Sequence, residues 1–120
     1  MNKFTLVVGA SLNENRYSHT CVKTLVSGHL PVIALGLKEG IIAGVPVQTG
    51  FPPLENVQTV TIYLGAPNQK IWYDYILGLN PERVIFNPGA ENQEFRNALT
   101  AAGIEAIEDC TIRMVEGGRF

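Results

Sequence analysis

The chain has 120 residues, 46% of them apolar, and 11 acidic side chains against 9 Lys and Arg, for a net charge of -2. That is the size of one domain with one core. It excludes the basic footprint of a nucleic-acid binder, and no apolar run reaches the roughly 20 residues a membrane-spanning helix needs.

The sequence opens with MNK and passes directly into a strand pattern, so no signal peptide is expected and the cytoplasm is the predicted location. Lys3–Gly9 (KFTLVVG) is β-branched and apolar and stops at glycine, which reads as a buried strand. Tyr17–Gly28 places Cys21, Val22, Leu25 and Val26 on one helical face and closes on Gly28. Pro31–Gly36 (PVIALG) is a second strand. Leu37–Pro53 is broken by glycine and proline, with room for one short strand at Val45–Gln48. Gln58–Leu64 (QTVTIYL) is a third principal strand. Asn68–Leu79 reads as a helix burying Ile71, Trp72, Tyr75, Ile76 and Leu79. Arg83–Phe86 is a fourth strand, Glu91–Ala102 a helix burying Phe95, Ala98, Leu99 and Ala102, and Glu105–Ile107 a last short strand.

Strands alternating with helices predict right-handed βαβ units. The expected fold class is α/β: a Rossmann-like three-layer sandwich, about five mainly parallel strands with helices on both faces, in one domain over residues 1–120. Such sheets bind ligands beyond the carboxyl ends of their strands, where strand order reverses. Those ends here are Gly9-Ala10-Ser11, Leu35–Gly40, Leu64-Gly65-Ala66-Pro67 and Asn87-Pro88-Gly89, all rich in small residues that leave backbone N–H groups accessible.

The first corner is the most informative. Gly9 allows a sharp turn, Ser11, Asn13 and Asn15 are neutral hydrogen-bonding groups, and Arg16 stands where the next helix points its N-terminus. Lys38 adds a second cation after strand two, so the expected ligand carries phosphate and resembles a nucleotide. Taken singly, each residue has a plainer reading: a turn glycine, a helix cap, a solvated arginine, a polar loop at Lys38-Glu39. Their convergence on one edge of one sheet favours the ligand. The fingerprint G-x-G-x-x-G is incomplete, because Ser11 and Glu14 replace its second and third glycines. At the other corner, NPGAENQE sets a turn with Pro88 and Gly89 and a cap at Asn92. Glu91 and Glu94 make it a poor anion site that can still border a less charged part of a ligand. Cys21 and Cys110 read as free thiols, Cys110 as a small buried hydrophobe, and no metal-ligand spacing is present.

The series VVGAS, N-x-N-R-Y-S, VIALGLKEGIIAGVPV, VTIYL, VIFNPGAEN and DCT resembles the small stand-alone coenzyme A-binding proteins of bacteria. These are similar to the N-terminal Rossmann-like domain of the succinyl-CoA synthetase alpha subunit. The resemblance spans about Lys3 to Met114. It implies CoA or an acyl-CoA as ligand, met by Gly9, Ala10, Ser11, Asn13, Asn15, Arg16, Tyr17 and Ser18 at the first corner. It also implies Lys38 after strand two, Leu64, Ala66 and Pro67 on the next wall, and Asn87, Pro88 and Gly89 on the far wall. The synthetase's phosphorylated histidine domain and partner subunit have no counterpart here, so the expectation is a non-catalytic binding or regulatory module. The alternatives are an NAD(P)-dependent oxidoreductase, an acyl-transferring enzyme using Cys110, and a ligand-free interaction module forming a homodimer through Trp72 and Tyr73.

Overall fold

The computed structural model describes residues 3–120; Met1 and Asn2, on which the expectation of an unprocessed amino terminus rests, lie outside them. Strand β1 (Phe4–Ala10) is the centre of the sheet, and its Leu6, Val7 and Val8 are fully buried. A strand covered on both faces needs a continuous apolar run rather than an alternating one, which is what LVV supplies. Around it lie β2 (Val32–Gly36), β3 (Gly40–Ile42), β4 (Val45–Gln48), β5 (Val57–Ile62), β6 (Arg83–Phe86) and β7 (Glu105–Glu108). The order across the sheet is β3-β4-β2-β1-β5-β6-β7. Every neighbouring pair is parallel except β3 with β4.

Helices α1 (Tyr17–Ser27) and α4 (Thr111–Glu116) cover one face, packing Cys21, Val22, Leu25, Ile112 and Val115 around Val7 and Ala34. Helices α2 (Tyr73–Leu79) and α3 (Gln93–Ala101) cover the other, packing Ile76, Phe95 and Leu99 on Leu6, Val8, Val60, Val84 and Phe86. The chain leaves β1 toward β2 on one side and returns to β5 on the other. Strand order therefore reverses between β1 and β5, the place where such sheets open a crevice.

The α/β class is as the sequence predicts, with a larger sheet: seven strands rather than about five. The short strand expected at Val45–Gln48 is β4. The unexpected β3 joins it through Ala43 and Gly44, both at positive φ (50° and 83°), a two-residue hairpin turn. Helix α4 is also additional. The helix expected over Asn68–Leu79 is α-helical only from Tyr73, because the chain first makes two 3-10 turns, Ala66–Asn68 and Lys70–Trp72. Three residues per turn shifts the phase of the apolar side chains, so Ile71 is 75% exposed rather than buried.

One contact fixes the end of β1. The strand pairing slips between Val8 and Ala10, a bulge that Gly9 permits at φ +91°. Ala10 then faces Gly36 so closely that a Cβ on Gly36 would collide with the Ala10 carbonyl oxygen. Gly36→Ala is expected to destabilise the fold by about 2–3 kcal/mol, because backbone rather than a flexible side chain must give way. Gly78→Ala, inside α2 with open space around it, should stabilise by roughly 0.5–1 kcal/mol. Chemical denaturation of both variants checks this, and a Gly36→Ala midpoint equal to that of the unaltered chain would contradict it.

Candidate functional site

The first corner is organised by side chains where a dinucleotide site would use glycine. The Ser11 N–H donates to Ser18 Oγ (3.1 Å) and the Ser11 carbonyl accepts from His19 Nδ1 (3.0 Å). The Asn13 N–H donates to Ser11 Oγ (3.1 Å), the Asn15 N–H to Asn13 Oδ1 (2.9 Å), and the Arg16 N–H to the Asn13 carbonyl (3.0 Å). The side-chain oxygens of Ser11 and Asn13 thus each accept one bond that shapes the loop itself, while the Ser11 hydroxyl hydrogen and the Asn13 amide hydrogens make no bond among the described residues. Arg16 is the N-cap of α1 in an extended conformation, no side chain caps the helix, and its first turn holds no acidic residue. This helix end keeps its partial positive charge open, with Arg16 and Tyr17 exposed beside it.

The neighbouring corners touch this one. Leu12 lies across the loop's base onto Gly40, where a Cβ would come within 2.5 Å of its Cδ2. The loop therefore meets the bend that carries Lys38, which is exposed. Ion pairs among the described residues join Lys3 to Glu82, Arg96 to Glu108 and Arg119 to Asp109, and none includes Arg16 or Lys38. On the other side Leu64 packs on Gly9, with its Cδ2 3.0 Å from where a Cβ would stand. Ala66 and Pro67 follow in a 3-10 turn at the rim, with Pro67 exposed.

The β6 corner divides. Asn87 is 1% exposed and faces inward: its Nδ2 donates to Thr61 Oγ1 (2.6 Å) and the Ile62 carbonyl (2.9 Å), and its Oδ1 accepts from the Thr111 N–H (2.9 Å). That side chain braces β5, β6 and the start of α4. Pro88 and Gly89 are exposed, and the Gly89 N–H is already taken by Glu91 Oε1 (2.9 Å). Asn92 caps α3 as expected, accepting from the Phe95 N–H (3.0 Å).

Sequence reasoning missed Gln69. It is fully buried, donates through Nε2 to the carbonyls of Leu64 (2.8 Å) and Ala90 (2.7 Å), and accepts through Oε1 from Asn92 Nδ2 (2.9 Å). It ties the β5 turn to the β6 turn. A single Gln in an amphipathic stretch carries no periodic signal that would mark it as buried. Trp72 and Tyr73, the aromatics that an association face would use, are half-buried. Trp72 packs on Phe51 and Tyr75, and Tyr73 stacks on Phe95.

Beneath the first corner, between α1 and α4, sit Cys21, Tyr63 and Cys110. The Tyr63 hydroxyl is buried without a hydrogen-bond partner among the described residues; Cys21 and Thr61 stand beside it, but neither meets bonding geometry. Burial pushes the Cys21 thiol up to about 12. Both cysteines are free, Cys21 buried and Cys110 half-buried. No three His, Cys, Asp or Glu side chains cluster as a metal would require among the described residues. Among the described residues no helix is long and apolar enough to cross a membrane. A shallow hollow of about 940 Å³ lies elsewhere, at the amino ends of β1 and β2, lined by Phe4, Ile33, Leu54, Asn56, Asp74 and Tyr75. Its lining carries the carboxylates of Glu55 and Asp74 and no Lys or Arg.

Residues 3–116 match the family model described as CoA binding domain. The chain belongs to the CoA-binding domain family. Among solved structures, an uncharacterized protein is 41% identical, with 100% of this chain and 99% of that one covered and a TM-score of 0.95. A structure described as cell-free ID.343 from Thermus thermophilus is 21% identical, covers 99% and 91%, and has a TM-score of 0.86. A hypothetical protein from Pyrococcus horikoshii is 18% identical, covers 97% and 83%, and has a TM-score of 0.85. The last two likenesses are likenesses of fold. No curated protein matches the chain.

For this CoA-binding domain the thiols give a prediction. A thiol with its pKa raised to about 12 is protonated at neutral pH, and the thiolate is the reactive form. Iodoacetamide at pH 8 should therefore modify Cys110 and spare Cys21 in the folded protein, as read by peptide mass spectrometry, and modify both in denaturant. Equal labelling of the two in the folded protein would contradict the packing of α1 on the sheet.

Proposed function

We propose that this chain binds coenzyme A or an acyl-CoA across the carboxyl edge of its sheet, as a cytoplasmic binding or regulatory module without chemistry of its own. The observation that carries the reading is the α1 N-terminus: uncapped by any side chain, free of acid in its first turn, and crowned by Arg16, which makes no ion pair among the described residues. Phosphates belong there, with the guanidinium supplying charged donors and Lys38 a second cation on the adjoining bend. Glu91 and Glu94 flank the β6 corner and suit the uncharged pantetheine arm rather than phosphate. The rim residues Gly9 to Ser11, Asn13, Asn15, Tyr17, Leu64, Ala66, Pro67, Pro88 and Gly89 border the ligand, and Ser18 and Asn87 shape the cleft from within.

A nicotinamide dinucleotide fits less well. It wants a carboxylate ending β2 to grip a ribose, and this chain has Leu35, Gly36 and Leu37 there, with Glu39 slightly beyond the strand end. Titration calorimetry at moderate salt tests the proposal. CoA is expected to bind saturably, NAD not at all, and Arg16→Ala or Lys38→Ala to weaken CoA by about tenfold each, the value of one charged hydrogen bond. No saturable heat at millimolar CoA would refute it.

A further inference from the structure

The first corner contains a device that the binding proposal does not use. Ser18 and His19 are consecutive residues in the first turn of α1, 4% and 9% exposed, and they grip opposite sides of one residue. Ser18 Oγ receives the Ser11 N–H and His19 Nδ1 meets the Ser11 carbonyl. A carbonyl can only accept, so His19 Nδ1 carries the hydrogen, and in the neutral ring Nε2 does not.

The loop from Ser11 to Arg16 contains no glycine, so its shape must be imposed by side chains. The bonds run in series. Ser11 is held by α1, Asn13 by Ser11, Asn15 by Asn13, and Arg16 by the Asn13 carbonyl. The series starts and finishes on the same helix, because Arg16 is the N-cap of α1. Releasing the Ser11 carbonyl would loosen it at its root and leave Arg16 to be ordered only when ligand arrives.

We infer that His19 is a positioning residue for ligand binding: through its Nδ1–H bond to Ser11 it holds the Ser11–Arg16 loop in the shape that binds phosphate, the task glycines perform in dinucleotide sites. This rests on the CoA reading above. It predicts that affinity depends on a donor at the Nδ1 position rather than on the ring, since the loss on removing it is the cost of ordering a loop.

Three measurements on the full chain test it. Nitrogen-15 spectra of the imidazole should show neutral His19 protonated at Nδ1, the less common tautomer of a free side chain. His19→Phe keeps the ring and removes the donor; it should weaken CoA by roughly tenfold and speed amide exchange in Ser11–Arg16 while leaving exchange in β5 and β6 unchanged. His19→Asn places an amide N–H near the Nδ1 position and should restore affinity to within about threefold of the unaltered chain. A neutral ring protonated at Nε2 with Nδ1 bare, or equal CoA affinity in the unaltered and His19→Phe chains, would overturn the role of His19 alone. Absence of CoA binding by the unaltered chain would instead overturn the CoA reading. The tautomer is read in the unaltered protein, so that arm decides even where His19→Phe fails to fold.

Discussion

The Ala10 carbonyl pressed against Gly36 is the constraint on which the rest of the molecule depends. Two parallel strands normally keep their backbones apart by the width of a ladder, with side chains above and below. Here β1 bulges at Gly9, and its last residue comes so near β2 that no side chain fits on Gly36. The bulge turns the chain off the sheet at its central strand, at the point where strand order reverses. Everything that reads as a ligand site follows from that turn: the loop that crosses to Gly40, the angle at which α1 begins, and the exposure of Arg16 beside an uncapped helix end.

Around the turn, the carboxyl edge is braced by buried amides rather than by hydrocarbon alone. Asn87 joins β5, β6 and α4, and Gln69 with Asn92 joins the β5 turn, the β6 turn and α3. Burying an amide is costly unless its donors and acceptor are met, and in these three side chains they are. The Asn92 Nδ2 even uses its second hydrogen on the Tyr73 hydroxyl, at 2.8 Å. Satisfied networks of this kind give direction that apolar packing lacks, so the turns after β5 and β6 are held at a fixed spacing.

How much of this was legible in the sequence differs by residue. The α/β class and the central strands were readable because LVV in β1 is a continuous apolar run, QTVTIYL around β5 alternates, and the β-branched and aromatic VIF of β6 stops at the turn residues Asn87-Pro88-Gly89. The face of α1 was readable because Cys21, Val22 and Leu25 fall at helical spacing. Strand β3 was not, since three residues give no period to detect and its Ala-Gly turn lacks the Asn-Gly or Asp-Gly signature. Ile71 was misplaced because two 3-10 turns change the repeat from 3.6 residues to three. At the first corner, the placement of Arg16 and Lys38 on neighbouring exposed turns of one sheet edge could be read from topology alone. The inward turn of Asn87 could not, because nothing local distinguishes an Asn that faces a ligand from one that faces Thr61. The polar loop Ser11–Asn15 looked like a set of ligand groups, yet much of its hydrogen-bonding capacity maintains its own shape.

The two ends of this sheet make opposite offers. One has charge and little enclosure, around Arg16 and Lys38; the other has a shallow hollow and the carboxylate of Asp74. A phosphorylated carrier should choose the first, because charge-assisted bonds to phosphate outweigh contact area with an acidic surface. Backbone amide shifts recorded as CoA is titrated into labelled protein test that choice most directly. The account predicts that the largest changes fall on Ser11–Ser18 and the Leu37–Gly40 bend; changes confined to Phe4, Asn56 and the α2 residues around Tyr75 would contradict it.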